Sequence, residues 1–183
     1  MHLINLVAVS IGLAAAAPTA TPTKDNMIAV STTAPSAYED PYTYWAAGNH
    51  SFSICDKKTY HAHQAPKSTK RADYRDCAAL LSTFGTRNGT FSIPAASDDK
   101  REYDVGDGLV NIVKSGSCAF AVRADKGLKA GDDDVVWIMQ KAVLEYSSGT
   151  DMAARGSVKC AADEVGKKGG LYWQVHGIES AGY

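Results

Sequence analysis

The chain has 183 residues, 19 Lys and Arg against 20 Asp and Glu, a formal net charge of −1 and 45% hydrophobic residues. Such a length suits one domain, since about 150 residues bury roughly 70% of the surface that the unfolded chain exposes. The near balance of charge gives no sign of a nucleic-acid-type polyanion surface.

Leu3 to Leu13 is an uncharged apolar stretch, shorter than the roughly 20 residues a membrane helix needs, and Ala14 to Ala17 follow it. Residues 1–17 therefore read as a secretory signal peptide, cut after Ala16 or Ala17 with Ala16 preferred, although the usual basic start is missing. No later segment is long and apolar enough to span, and no hydrophobic tail for a lipid anchor closes the chain, so the expectation is a secreted, extracellular protein. Residues 18–44 begin with a Thr, Pro, Ala and Ser-rich run that cannot bury enough apolar surface to fold, a flexible N-terminus or removable pro-segment. The remainder, 45–183, is expected to be a single domain.

The four cysteines, Cys55, Cys77, Cys118 and Cys160, are widely spaced and even in number, with no CxxC pair of the kind a zinc site uses. In an oxidising compartment they read as two disulfides in one of three possible pairings.

Ser51-Phe52-Ser53-Ile54-Cys55 alternates like a strand. Ala72 to Thr83 reads as a helix that puts Asp73, Cys77, Leu80, Leu81 and Phe84 at helical spacing and stops at Gly85. Phe91-Ser92-Ile93 alternates up to Pro94. Leu109 to Val113 and Cys118 to Val122 form a hairpin through Ser115-Gly116-Ser117. Asp132, Asp133 and Asp134 open a second helix by capping it and by placing negative charge at its positive end. Its stripe is Val135, Ile138, Met139, Ala142, Val143 and Tyr146, with Gly149 at its end. Strands at about Ala154 to Ala161 and Leu171 to Ile178, separated by Gly166-Lys167-Lys168-Gly169-Gly170, complete an α+β domain: an antiparallel sheet with two helices on one face.

Few residues stand in a chemical frame. His61 and His63, two apart, could join His50 on a metal, but nothing completes the set at motif spacing and the segment reads as a solvated loop. The aspartate run is explained by capping without calcium, and Asp104-Val105-Gly106-Asp107-Gly108 fails the EF-hand spacing and reads as a turn. No GxSxG frame or recognisable carboxylate pair is present, so neither catalysis nor a cofactor is expected. Asn49 and Asn88 begin N-glycosylation sequons in expected loops. Lys70-Arg71 is a dibasic pair read as the solvated start of the first helix. Trp45, Trp137 and Leu144 are the apolar side chains considered for partner contact, because aromatic anchors dominate interfaces.

The contexts Cys55-Asp56-Lys57-Lys58-Thr59-Tyr60, Asp76-Cys77, Gly116-Ser117-Cys118-Ala119-Phe120-Ala121-Val122, Gly131-Asp132-Asp133-Asp134-Val135, Ala154-Arg155-Gly156-Ser157-Val158-Lys159-Cys160 and Tyr172-Trp173-Gln174-Val175 resemble, in that order, the fungal secreted necrosis-inducing effectors, the domain of the extracellular-protein-two-type effectors of leaf-mould fungi. The plan is more distantly similar to the KP4-class killer toxins, an α/β sandwich of two antiparallel helices on an antiparallel sheet. The chain departs from the family at Asp56, where glycine is common, and at Lys70-Arg71-Ala72, where a small-Pro pair often precedes the helix.

The resemblance implies a secreted fungal protein acting on a host plant or a competing microbe, with no catalytic residues to carry over and the four cysteines as structural positions. The function expected is a non-enzymatic, monomeric effector or toxin-like protein that induces plant cell death or acts on rival microbes. Its partner is expected to be a target in the plant or microbe, not nucleic acid. The alternative is a secreted hydrolase or an inhibitor of host hydrolases.

Overall fold

The computed structural model describes residues 42–98 and 106–179. The expected signal peptide at 1–17, and the 18–44 segment up to residue 41, lie outside the described residues, as do Asp104 and Val105. In chain order the elements are β1 (Trp45–Ala47), β2 (Asp56–Gln64), β3 (Ala72–Asp73), α1 (Tyr74–Phe84), β4 (Gly89–Ile93), β5 (Val110–Ser115), β6 (Cys118–Ala124), β7 (Leu128–Gly131), α2 (Asp132–Tyr146), β8 (Ser147–Ser148), β9 (Asp151–Met152), β10 (Ala154–Ala161) and β11 (Lys168–Gly177).

The centre is a five-stranded antiparallel sheet in the order β2-β10-β11-β6-β5. Strands place alternate side chains on opposite faces, so the register divides each strand between two environments. Phe120 and Val122 of β6, Leu171, Trp173 and Val175 of β11, and Val158 of β10 point to one face and are buried. Both helices cover that face with the stripes their spacing dictates, Cys77, Leu80 and Phe84 from α1 and Val135, Ile138, Met139 and Ala142 from α2. The α+β architecture expected from the sequence is therefore the one observed. A three-stranded sheet, β1-β4-β7, and a smaller one, β3-β9-β8, flank it.

The helix ends follow from local chemistry. Asp73 caps α1 by accepting the Arg75 N–H at 2.9 Å, and the Gly85 N–H donates to the Leu81 carbonyl at 2.8 Å. Gly131 precedes α2 without a side chain to cap it. Asp134 instead reaches back to accept the Gly131 N–H at 2.9 Å, the return half of a capping box. Gly131 is required there, because a Cβ would lie 1.9 Å from the Phe52 carbonyl oxygen.

Several boundaries differ from the sequence reading. Residues 51–54 are not a strand, and His61 and His63 lie in β2 rather than in a solvated loop. The first helix begins at Tyr74, after Lys70-Arg71 and the short β3, so the dibasic pair is not a helix start. The second helix stops at Tyr146 because Ser147–Ser148 turns to pair with Asp151–Met152 through Gly149, whose φ is 64°. The last strand starts at Lys168, inside the stretch expected as a turn.

Candidate functional site

Two cross-links fix the sheet at opposite ends of β11. Cys118 lies opposite Gly177 at one end, Cys160 opposite Gly169 at the other. The bridges are Cys77–Cys118, 41 residues apart in sequence, and Cys55–Cys160, 105 apart. Beside each stands an aspartate that accepts backbone N–H groups.

At the first corner the half-buried Asp76 accepts from the Ser117 N–H at 2.7 Å and from the Ser117 hydroxyl at 2.6 Å, and Ser117 Oγ in turn accepts from the Asp73 N–H at 3.0 Å. Gly116 makes this possible. Its φ is 53°, and a Cβ there would meet the Asp76 carboxyl carbon at 2.6 Å.

At the second corner Asp134, only 1% exposed, accepts from the backbone of Ile54 at 2.7 Å, of Cys55 at 3.1 Å and of Gly131 at 2.9 Å, and from the Ser53 hydroxyl at 3.3 Å. Asp132 accepts from the Phe52 N–H at 2.8 Å, from the Gly89 N–H at 3.3 Å and from the Ser51 hydroxyl. The aspartate run thus does more than cap α2: it ties residues 51–55, which belong to no strand, to the start of that helix. Among the described residues, no three His, Cys, Asp or Glu side chains come together as metal ligands.

The sheet face turned away from the helices carries a cleft of about 280 Å³. The register builds it in rows. Ser157 of β10 lies between His61 of β2 and Tyr172 of β11, and Tyr172 pairs onward with Arg123 of β6. In the next row Arg155 lies between His63 and Gln174. Arg155 Nε donates to His63 Nε2 at 3.0 Å, and its Nη1 lies 3.7 Å from Asp107 Oδ2. Arg123 stacks its guanidinium 5.0 Å from the Tyr172 ring centre and donates to the Asp107 carbonyl at 2.8 Å. Asp107, with φ of 67°, and Leu109 form the rim. A second hollow of about 600 Å³ shares Asp107, Arg155 and Gln174 and continues toward Lys70 and His176.

In the sequence His61 and His63 are candidate metal ligands and Asp107 is part of a turn, while Arg155, Ser157, Tyr172 and Gln174 stand in the family motifs, and nothing local gathers them into one cleft. The available signal is the run of polar side chains at alternate positions, Arg155 and Ser157 on one strand and Tyr172, Gln174 and His176 on another, opposite a buried apolar set.

The remaining sequence candidates lie elsewhere. Asn49 and Asn88 are both exposed and sit in adjoining loops, where the Gly48 N–H donates to the Asn88 carbonyl at 2.8 Å. His50 packs on Phe52, with ring centres 4.2 Å apart. Trp45 is half-buried in an aromatic cluster, 5.4 Å from Phe84 and 4.8 Å from Phe91. Trp137 is half-buried against Tyr60 at 5.0 Å, with the Lys57 ammonium 5.4 Å above its ring. Leu144 is 83% exposed. The Lys70 carbonyl accepts the Gly177 N–H at 2.8 Å, which ties the dibasic segment to the end of β11. A cut there would leave the piece bearing Cys55 attached through Cys160.

The family model of Hce2, described as "Pathogen effector; putative necrosis-inducing factor", matches residues 54–160, and the chain belongs to that family. The matched span starts one residue before Cys55 and ends on Cys160, so the longer bridge ties its two ends together. Among curated proteins none matches this chain. Within the described residues no helix is long and apolar enough to cross a membrane.

Proposed function

We propose that this pathogen effector is secreted, acts as a monomer without catalysis, and provokes cell death in a host plant by engaging a plant component. The observation that carries the reading is the family match over 54–160, with cross-links that fit an oxidising, extracellular setting. The non-catalytic part is supported by the cleft's chemistry. Asp107 is the one carboxylate among its described lining residues, where a glycosidase would place two, and it lies against Arg155.

The test is infiltration of leaves with the oxidised mature chain beside the same chain reduced and alkylated, with growth of rival microbes and turnover of polysaccharides and peptides followed in parallel. Necrosis with the oxidised form alone is the expected result. Killing of microbes without any leaf response would replace the plant target by a microbial one. Substrate turnover would overturn the non-enzymatic reading in favour of a hydrolase.

A further inference from the structure

The overall charge of −1 conceals a local concentration of positive charge on the sheet face away from the helices. Arg123, Arg155, His61 and His63 converge on one hollow, against the single described carboxylate of Asp107. Among the described residues neither arginine is spent on a good ion pair. Arg155 stands 3.7 Å from Asp107, beyond hydrogen-bond length, and Arg123 takes only a backbone carbonyl while lying over Tyr172. Two guanidinium forks with unused donors are suited to a carboxylate, which they can grip through paired N–H groups. The other walls have a different character. Ser157 and Gln174 offer hydroxyl and amide groups, and Leu109 and Tyr172 offer apolar surface, a mixture that matches a ring bearing hydroxyls on its edges and C–H groups on its face. At about 280 Å³ the hollow suits one or two such rings.

We propose that this cleft binds an acidic sugar, a uronate unit whose carboxylate is held between Arg123 and Arg155. The inference goes beyond the necrosis reading and does not depend on it.

The hydrogen bond between Arg155 and His63 gives the site a pH response. Nε2 of His63 accepts from Arg155, so the imidazole is not protonated at that nitrogen while the contact stands. Protonation removes the acceptor and sets two cations side by side, an arrangement that an anion between them relieves. Proton uptake and anion binding therefore favour each other. Among the described residues the charged or titratable groups around His63 are Arg155 on β10, Asp107 on the rim, His61 on its own strand, and Tyr172 and Arg123 across the cleft. Binding should therefore be tighter at pH 5.5 than at pH 7.5.

The test uses the oxidised mature chain and titration calorimetry with digalacturonate at pH 5.5 and 7.5, with neutral digalactose and inorganic phosphate as comparators. Arg155→Gln and Arg123→Gln are each expected to weaken digalacturonate binding about ten-fold or more, and Lys129→Gln, an exposed charge on β7, to leave it unchanged. His63→Gln should flatten the pH dependence while the protein still binds. Melting temperatures measured alongside separate loss of binding from loss of fold, and the two arginine variants serve as independent checks. Equal affinity for digalactose or for phosphate would overturn the assignment, as would a dissociation constant weaker than about 10 mM at both pH values. Because the readout is binding by purified protein, a failure here leaves the leaf assay untouched, and a failed leaf assay leaves this result standing.

Discussion

Cys77–Cys118 and Cys55–Cys160 lie at opposite ends of the same central strand, and both are accompanied by an aspartate that accepts backbone N–H groups. They differ in how the partners are supplied. At the first corner Asp76 and Ser117 are the immediate neighbours of the bonded cysteines, and both cysteines are fully buried. At the second the carboxylate comes from Asp134, remote in sequence from Cys55 and outside the loop's own strand, and Cys55 is only half-buried. The contrast teaches that a cross-link in a small secreted domain needs its flanking backbone satisfied as well as its sulfurs joined. A buried N–H left without a partner costs about 1–3 kcal/mol, comparable with what a disulfide contributes.

Loop length ranks the two corners first. In the chain-entropy view, Cys55→Ala with Cys160→Ala should cost about 5 kcal/mol and Cys77→Ala with Cys118→Ala about 4 kcal/mol, measured by urea unfolding. A reversed order would mean that burial, not loop length, governs the contribution. Native-state reactivity should run with exposure. Mild reductant followed by alkylation and mass analysis should label Cys55 and Cys160 before Cys77 and Cys118, and equal labelling would erase the distinction.

The carboxylates come next in size. Asp134→Ala strands three backbone donors and a hydroxyl in a buried site and is expected to cost about 3 kcal/mol or more. Asp76→Ala, which leaves the two donors of Ser117, should cost about 2 kcal/mol. Thermal or urea unfolding checks both, and similar costs would show that remoteness in sequence makes no difference.

Acid gives a smaller effect, felt at exposed groups. The Lys168 ammonium hydrogen-bonded to Asp56 and the Arg75 guanidinium on Asp73 hold both carboxyls below the ordinary value of 3.8. Groups with depressed folded values stabilise above 3.8, and that contribution fades as pH falls through the folded values. Asp56→Asn with Asp73→Asn should therefore make the melting temperature fall less steeply between pH 4 and 2 than in the parent chain. The smallest effect is expected in the core. The Tyr60 hydroxyl is buried without a hydrogen-bond partner among the described residues, and burial pushes its ionisation well upward. Tyr60→Phe should shift stability by less than about 1 kcal/mol, toward greater stability if at all.

Much of the fold was legible. The two helical stripes, the hairpin through Gly116 and the strand at Ala154–Ala161 follow from side-chain period and turn chemistry, which are local. The errors have one cause. Residues 51–54 alternate like a strand, yet their N–H groups go to Asp132 and Asp134 rather than to another strand. Asp56–Gln64 is the reverse case. It is an edge strand, and apart from Tyr60 and Ala62 it shows polar side chains on both sides, so its pairing leaves little apolar pattern.

The sequence by itself determined the class of protein. Motif order around four cysteines is local information, and it identified the effector family and both helices. Which cysteine meets which, and that His63 faces Arg155 while Tyr172 faces Arg123, only the tertiary structure decided. Those meetings depend on strand register and join residues as far as 105 apart in the chain. A slip of one residue would turn every side chain of a strand to the other face, and nothing in a strand's own period fixes that register before its neighbours are in place.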